Sequence, residues 1–470
     1  MFKLLLDKEL REIVGTTKFA VTFGVCAVLI LLAFYVGARN YDISRQDYEG
    51  AVVENLRQME GLTDWGEIDH RIFLPPQPLA ALVSGISNDI GRTVNMESRG
   101  ELRAEDSRFN EDPIFAVFRF LDLEFIFTIV LSLFAILFGY DAINGEKERG
   151  TLALSFANSV PRDQYVLGKL VGSFLALVVP LMIPILIGGL MLPLLGVPMD
   201  TNSWARLAMV IVAGVLYFGV FLTLSVFISA MTQRSSSSFL MLLVVWIFIV
   251  LIIPRASVLI SGQAVDVPSI DQIDYDKSKY SRQLFSERMN EMQHWIQENR
   301  DNDDHGQFMS AMQEFLGRQQ DDFDAKMRVL TEKLNEQRDN KAGRQQNLAL
   351  ALARVSPTAS FSLAAADLAS TSLALRSSYM EAANSYQVAF AQFMQSKNAD
   401  TQGYRFRKHG NDEVEEPEEI DLRELPEFTY RPPDASEAIG ASLPDLGLLL
   451  LFNIVFFAGA FVAFLKYDVR

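Results

Sequence analysis

The sequence predicts a mainly α-helical membrane protein with six transmembrane helices and two large polar insertions. Half of the 470 residues are hydrophobic, and many are concentrated in runs long enough to cross a bilayer. Charged residues nevertheless make up 21% of the chain, and the net charge is −16. Apolar runs combined with so many charges indicate membrane spans joined to sizeable polar segments.

The chain begins with a segment, 1–18, that has the pattern of an amphipathic helix. Its apolar residues recur at helical spacing, with Lys8, Glu9 and Arg11 between them. A helix of this kind lies at a membrane surface. The alternative is a flanking helix with no role beyond anchoring.

Six apolar runs are predicted as transmembrane helices. The predicted spans are 19–37, 122–140, 167–195, 204–231, 239–254 and 446–465. The first run could instead be the apolar part of a cleaved signal peptide. It is long for that purpose, and Gly37-Ala38-Arg39 offers no convincing cleavage site, so a retained helix is favoured.

Two insertions, 38–119 and 255–443, hold the acidic surplus of the chain. Their net charges are −6 and −10, which together account for the −16 of the whole sequence. Such acidity argues against nucleic acid as a partner. The single cysteine, Cys26, lies in the first span, so these insertions fold without an intrachain disulfide.

Within the second insertion, about 280–352 has the pattern of a long helical hairpin. Apolar residues recur at three and four positions, and 299–306 interrupts the pattern as a turn. Asp301, Asp303, Asp304 and His305 could be drawn as a metal site. A solvated loop is favoured, because the glutamate that closes a calcium loop is missing, and no metal site is predicted.

Positive charges predict the orientation. The short segments on the side of the N-terminus carry Lys and Arg, whereas the only short loop on the other side, 196–203, carries Asp200 and no base. Since cytoplasmic loops are enriched in Lys and Arg, both termini are expected in the cytoplasm and both insertions outside it.

Between the second and third spans lies a short polar segment, 141–165, which we call the elbow. Its charged residues, with Gly150 as a site of bending and Leu152 as an apolar anchor, are typical of a short helix that binds a partner through charged contacts. A solvated connector is the alternative. The candidate contact residues are Glu146, Lys147, Glu148, Arg149, Gly150, Thr151, Leu152, Arg162 and Lys169, together with Lys8, Glu9 and Arg11 of the first helix.

Motifs for catalysis are not found. The sequence has no glycine-rich phosphate-binding loop of the Gly-x-x-x-x-Gly-Lys-Ser/Thr type, no His-Glu-x-x-His and no Gly-x-Ser-x-Gly. The chain is therefore not expected to be an enzyme or to bind a cofactor, and any ATP and magnesium would be handled by another subunit.

Glu146-Lys-Glu-Arg-Gly-Thr-Leu152, followed by Pro161-Arg162 and Gly168-Lys169, resembles the cytoplasmic signature of type-2 ABC transporter permeases. Lys8-Glu9-Leu10 resembles the interfacial helix of the same family. Leu74-Pro-Pro-Gln-Pro-Leu79 and the C-terminal 464–470 are similar to a subgroup with enlarged outer domains, which includes gliding-motility and uncharacterised permeases. The insertion at 255–443 is longer than is usual in the family.

This resemblance implies a subunit of the bacterial inner membrane that works with cytoplasmic ABC ATPase subunits and a second, identical or different, permease subunit. The elbow would be the coupling helix, and ATP hydrolysis would drive export or mechanical work. The alternative is a membrane scaffold that does not transport and whose outer helical domain binds an envelope protein. No substrate is predicted.

Overall fold

Among the described residues, six helices are long and apolar enough to cross a membrane, in agreement with the number of spans predicted. They are Thr17–Met59, Leu123–Glu148, Arg162–Leu194, Thr201–Met231, Ser235–Ala264 and Ala435–Leu465. The computed structural model describes residues 2–87, 90–96, 102, 104–105, 122–152, 156, 161–299, 305–397 and 419–466. By its contacts the chain forms two units, Met1–Leu251 with Ser356–Arg470, and Ile252–Val355.

The helices are numbered in chain order. They are α1 Phe2–Val14, α2 Thr17–Met59, α3 (123–139), α4 Asn144–Glu148, α5 Arg162–Leu194, α6 Thr201–Met231, α7 Ser235–Ala264, α8 Ile270–Glu298, α9 His305–Ala353, α10 Pro357–Ala369, α11 Ala374–Ser396 and α12 Ala435–Leu465. Two of them contain one stretch of π-helix each, Ile126–Leu131 in α3 and Ile247–Ile252 in α7.

Side chains that satisfy free backbone groups mark several helix starts. Thr16 accepts a hydrogen bond from the Phe19 amide before α2, and Asp200 accepts one from the Ser203 amide before α6. Before α12, Asp434 and Glu437 form a reciprocal capping box. These caps compensate amides that have no partner within the helix.

Helix α2 continues well past the apolar run at 19–37. Its later part carries ion pairs one turn apart, in which Asp42 contacts both Arg39 at 3.4 Å and Arg45 at 3.3 Å. Such pairs support a helix without adding hydropathy. The apolar run thus predicted the membrane span at 19–37, but it did not predict that the helix continues to Met59.

The first insertion contributes a small antiparallel sheet in the order β1–β2–β3. The strands are β1 Arg71–Phe73, β2 Thr93–Asn95 and β3 Ala104–Glu105. Arg71 pairs with Asn95, and Thr93 pairs with both Phe73 and Glu105.

Helix α11, from the second insertion, packs against this sheet. The Tyr379 hydroxyl lies 3.1 Å from the Ile72 carbonyl oxygen and 2.9 Å from that of Arg92. The shared core includes Ile72, Val94, Tyr379, Ala383 and Phe390. We call the described residues of 62–105, together with 374–397 and 419–434, the sheet subdomain. It combines two segments far apart in the chain.

Helix α10 is buried among the apolar helices. It packs against α6 and α12, and Phe361, Ala364 and Ala365 are fully enclosed. At 13 residues it is too short to span a bilayer. Sequence analysis placed it within the second insertion; its small side chains explain how it can fit closely between longer helices.

The second unit contains the segment predicted as a helical hairpin. Helices α8 and α9 contact each other in antiparallel order, since the Arg288 guanidinium donates to Gln320 at 2.9 Å and Trp295 stacks on Phe315. The connection predicted at 299–306 lies largely outside the described residues, as do Asp301, Asp303 and Asp304. The hairpin therefore stays a prediction.

Candidate coupling site

The elbow begins where α3 ends, and its first residues are hydrogen-bonded to the end of α6. The backbone amides of Ile143 and Asn144 both donate to the Ser229 hydroxyl, at 3.0 and 3.1 Å. The Asn144 side-chain amide donates to the Thr232 hydroxyl at 2.9 Å. Because Asn144 is fully buried, this end of the elbow is part of the protein interior.

Lys147 contacts the last carbonyl groups of α6. Its ammonium group donates to the carbonyl oxygens of Ala230 at 2.7 Å and Thr232 at 3.1 Å. The last carbonyls of a helix have no partner within the helix and carry partial negative charge. A lysine at this position therefore both satisfies and stabilises the end of α6.

Glu148 contacts the beginning of α7. Its carboxylate accepts from the Ser235 amide at 2.9 Å and from the Ser235 hydroxyl at 2.7 Å. A carboxylate is favourable at a helix N-terminus, where free amides carry partial positive charge. These hydrogen bonds hold the pKa of Glu148 below its ordinary value. Lys147 and Glu148 thus join the elbow to two consecutive helices.

Glu146 points into the protein, with only 2% of its surface exposed. One carboxylate oxygen accepts from the Tyr165 hydroxyl at 2.7 Å. The other lies 3.0 Å from the Lys8 ammonium and 3.1 Å from that of Lys169. This single side chain therefore connects the elbow to α1 and α5.

Lys169 is shared between two carboxylates. Its ammonium lies 2.8 Å from Glu9, whose other oxygen accepts from the Ser173 hydroxyl at 3.3 Å. We call the buried residues Glu9, Glu146, Tyr165 and Lys169, together with Lys8, whose side chain is half exposed at their edge, the buried charge cluster. It has two acids and two bases, so its formal charges balance.

The environment of Glu9 shows the cost of this burial. Desolvation raises the pKa of Glu9 above its ordinary value of 4.5, although the neighbouring Lys169 ammonium opposes the rise. Removing one member of such a group leaves another charge buried without compensation, which is strongly unfavourable. The cluster is therefore expected to act as one unit.

A glycine on α5 permits the close approach of α1. A Cβ atom at Gly172 would lie 2.8 Å from the Cβ atom of Glu9, closer than carbon atoms can pack. At Gly168 the corresponding contact, with the Leu5 Cβ, would be 3.2 Å. The Gly-Lys motif thus places a lysine where it reaches Glu146 and a glycine where α1 crosses.

The turn that follows Lys147 in the elbow is exposed. Glu148, Arg149, Gly150 and Thr151 are exposed, and the Arg149 guanidinium lies 3.7 Å from Glu12 on α1. Gly150 has φ of +67° and open space where a Cβ would be. Glycine is thus required there by backbone conformation rather than by crowding. Leu152 is buried and anchors the exposed turn.

The remaining candidate residues are dispersed. Arg162 donates to the Leu465 carbonyl oxygen at 3.0 Å, at the end of α12. Arg11 is exposed and pairs with Asp7 on its own helix. These two residues lie near the cluster without belonging to it.

Several residues that contribute to the site were not predicted from the sequence. Tyr165 and Lys169 are four residues apart and so share a helix face, a spacing that could have identified Tyr165. Ser173 continues that face. Ser229 and Ser235 gave no signal, because isolated serines near helix ends are common. Within the described residues there is no group of three His, Cys, Asp or Glu able to hold a metal ion.

Comparison with known proteins shows which family the chain belongs to. The family model described as ABC-2 family transporter protein matches residues 4–469. A curated relative from Stutzerimonas stutzeri, named "Probable ABC transporter permease protein NosY", is 35% identical over 127 residues. That match covers 27% of this chain and 46% of the relative, so it spans about half of the relative's length.

The family match covers nearly the whole chain, including the elbow, the buried charge cluster and the six apolar helices. The resemblance inferred from Glu146–Leu152 and Gly168-Lys169 is thereby confirmed. The chain belongs to the ABC-2 family of transporter proteins and is a multi-pass membrane protein of the ABC transporter permease type.

Proposed function

We propose that this chain couples ATP hydrolysis by a separate cytoplasmic ABC ATPase to movement of its membrane helices, and that the elbow is the point of coupling. One observation carries the proposal: four helices meet at α4 through consecutive charged residues. Glu146 contacts α1 and α5, Lys147 contacts α6, and Glu148 contacts α7.

The exposed turn Arg149–Thr151 supplies the surface for the ATPase. The Arg149 side chain is 62% exposed and can form charged hydrogen bonds with a carboxylate. Glu146 would not take part in docking, because it is buried. The elbow thus has two roles on two sides, with docking at the exposed turn and transmission through the buried charge cluster.

The full assembly would contain ATPase subunits that bind ATP and magnesium, and a second permease subunit, identical or different. ABC permeases work in general with an ATPase partner and in a dimeric arrangement. The basic residues around the elbow support its placement in the cytoplasm and that of the sheet subdomain outside. The proposed location is the bacterial inner membrane, and the same coupling would serve export or mechanical work.

Docking can be tested by co-purification with the candidate ATPase from membranes. Arg149→Glu is expected to reduce the bound ATPase about tenfold, since it places a negative charge in the docking surface. Arg39→Glu is the matched control, because Arg39 is similarly exposed but lies on α2 beyond the apolar run. Glu146→Gln should retain the ATPase.

Equal retention by Arg149→Glu and the control would contradict docking at this turn. If the unsubstituted protein bound no ATPase at all, the result would favour the scaffold alternative, in which an outer helical domain binds an envelope protein.

A further inference from the structure

Helix α8 has more apolar surface than α9 covers. The two helices meet along Arg288, Glu291 and Trp295, where Gln319 donates to Glu291, Trp295 stacks on Phe315 and the Phe308 ring lies tilted against Trp295. All of α8 is described, and only its Ile273 and Leu284 are buried. Two helices packed only against each other therefore leave many of their apolar side chains exposed.

A second apolar stripe lies on α8 beside the face that contacts α9. Phe285 is 58% exposed, Met289 and Ile296 are each 37% exposed, and Met292 is half-buried. The steps between these residues are four, three and four, the alternation of a and d positions in a coiled coil. The stripe therefore has the spacing of a helix-pairing seam, and the described residues of this unit leave it largely uncovered.

The residues flanking the stripe indicate what covers it. Of the side chains beside the stripe, Ser286 and Gln293 are neutral, and Arg288 is turned toward Gln320 of α9. Elsewhere α8 is rich in charge, with Asp271, Asp274, Asp276, Lys277, Lys279 and Arg282 preceding the stripe. A seam without flanking acids can face an identical seam in parallel without repulsion between like charges.

We propose that Phe285, Met289, Met292 and Ile296 form a short coiled coil with the same stripe of a second copy of this chain. The proposal rests on the pairing of permease subunits in the proposed function. Two copies held in one complex have a high effective concentration of α8, so even a seam of two heptads can associate. The proposed interface includes no residue of the elbow.

Cysteine cross-linking in membranes tests the proposal. In a Cys26→Ser background, Met289→Cys and, independently, Ile296→Cys are oxidised with copper phenanthroline. The matched control is Glu287→Cys, an exposed position two residues before Met289 and off the seam. We expect a disulfide-linked species of twice the chain mass, at least fivefold more abundant for both seam positions than for the control.

Introducing Phe285→Asp into the Ile296→Cys variant is expected to abolish that species, because a carboxylate would be buried in the seam. Equal cross-linking at seam and control positions, or an adduct with a protein of different mass, would overturn the proposal. ATPase retained in the same membranes is measured in parallel. Bound ATPase without a seam cross-link would therefore overturn this inference alone.

Discussion

Glu146 shows how one side chain can tie together parts of the chain that are far apart in sequence. It is reached by Lys8 from 138 residues upstream and by Tyr165 and Lys169 on the next long helix. Its acidity and its position in the elbow were readable from the sequence. Its inward orientation was not, because helical spacing within five residues does not tell which side faces the protein.

Replacing Glu146 with glutamine should destabilise the protein by about 3 kcal/mol, since it leaves buried positive charge short of a partner. Thermal unfolding of the purified protein in detergent would show this as a lower Tm. Glu148→Gln is the control, because Glu148 is solvent-exposed and a smaller loss is expected.

Pairing Glu146→Gln with Lys169→Met in a double-mutant cycle should show clear non-additivity. Additive effects would contradict a cluster that acts as a unit.

His70 gives a second prediction at this scale. The Tyr386 hydroxyl donates to the Pro426 carbonyl oxygen at 2.7 Å and lies 2.8 Å from His70 Nε2, so Nε2 carries the proton. Nδ1 is buried without a partner among the described residues. Burial lowers the pKa of His70 to about 4, although Asp69 acts in the opposite direction.

Since the folded pKa lies below the ordinary value of 6.5, the unfolded chain takes up a proton first as the pH falls. The sheet subdomain should keep full stability above pH 6.5 and lose about 3 kcal/mol between pH 6.5 and 4. Hydrogen–deuterium exchange in α11 should be about thirtyfold faster at pH 5 than in His70→Gln at the same pH, because about 2 kcal/mol is lost by pH 5. The two proteins should agree at pH 7.5. A constant ratio across this range would contradict the assignment.

At the scale of elements, contact between α1 and α5 depends on a residue without a side chain. Gly172→Ala places a methyl group 2.8 Å from Glu9, whereas Gly24→Ala on α2 meets nothing within 4 Å. Both changes gain a similar amount of helix propensity, up to about 1 kcal/mol, so their difference reports the contact. We expect Gly24→Ala to raise Tm and Gly172→Ala to lower it. An equal rise would show that α1 is free to move away.

The spans were predictable because hydropathy depends on length and composition alone. The sheet subdomain was not, since its core joins Ile72 and Val94 to Tyr379 and Phe390, almost 300 residues later. Helix α10 was predicted to lie in the second insertion and not among the spans, because thirteen Ala- and Ser-rich residues are too short and too weakly apolar to indicate a membrane helix. The exposed stripe on α8 was visible as periodicity, although the sequence did not distinguish it from the face that contacts α9.

At the scale of the whole molecule, the proposed function requires that force at the exposed turn reach the distant ends of the spans. The path is short, because α4 contacts α1, α5, α6 and α7 directly and α5 packs against α2. If the buried charge cluster transmits movement, a variant without it should still bind the ATPase, but its membrane helices should no longer move.

The most direct measurement is the distance between two spin labels at Gln58→Cys, one on each permease subunit, in the Cys26→Ser complex with its ATPase. Gln58 is exposed at the far end of α2. Adding ATP and magnesium should change this distance in the otherwise unsubstituted complex. The account predicts that Glu146→Gln keeps the ATPase bound but abolishes the change. The same change in Glu146→Gln would contradict transmission through the elbow.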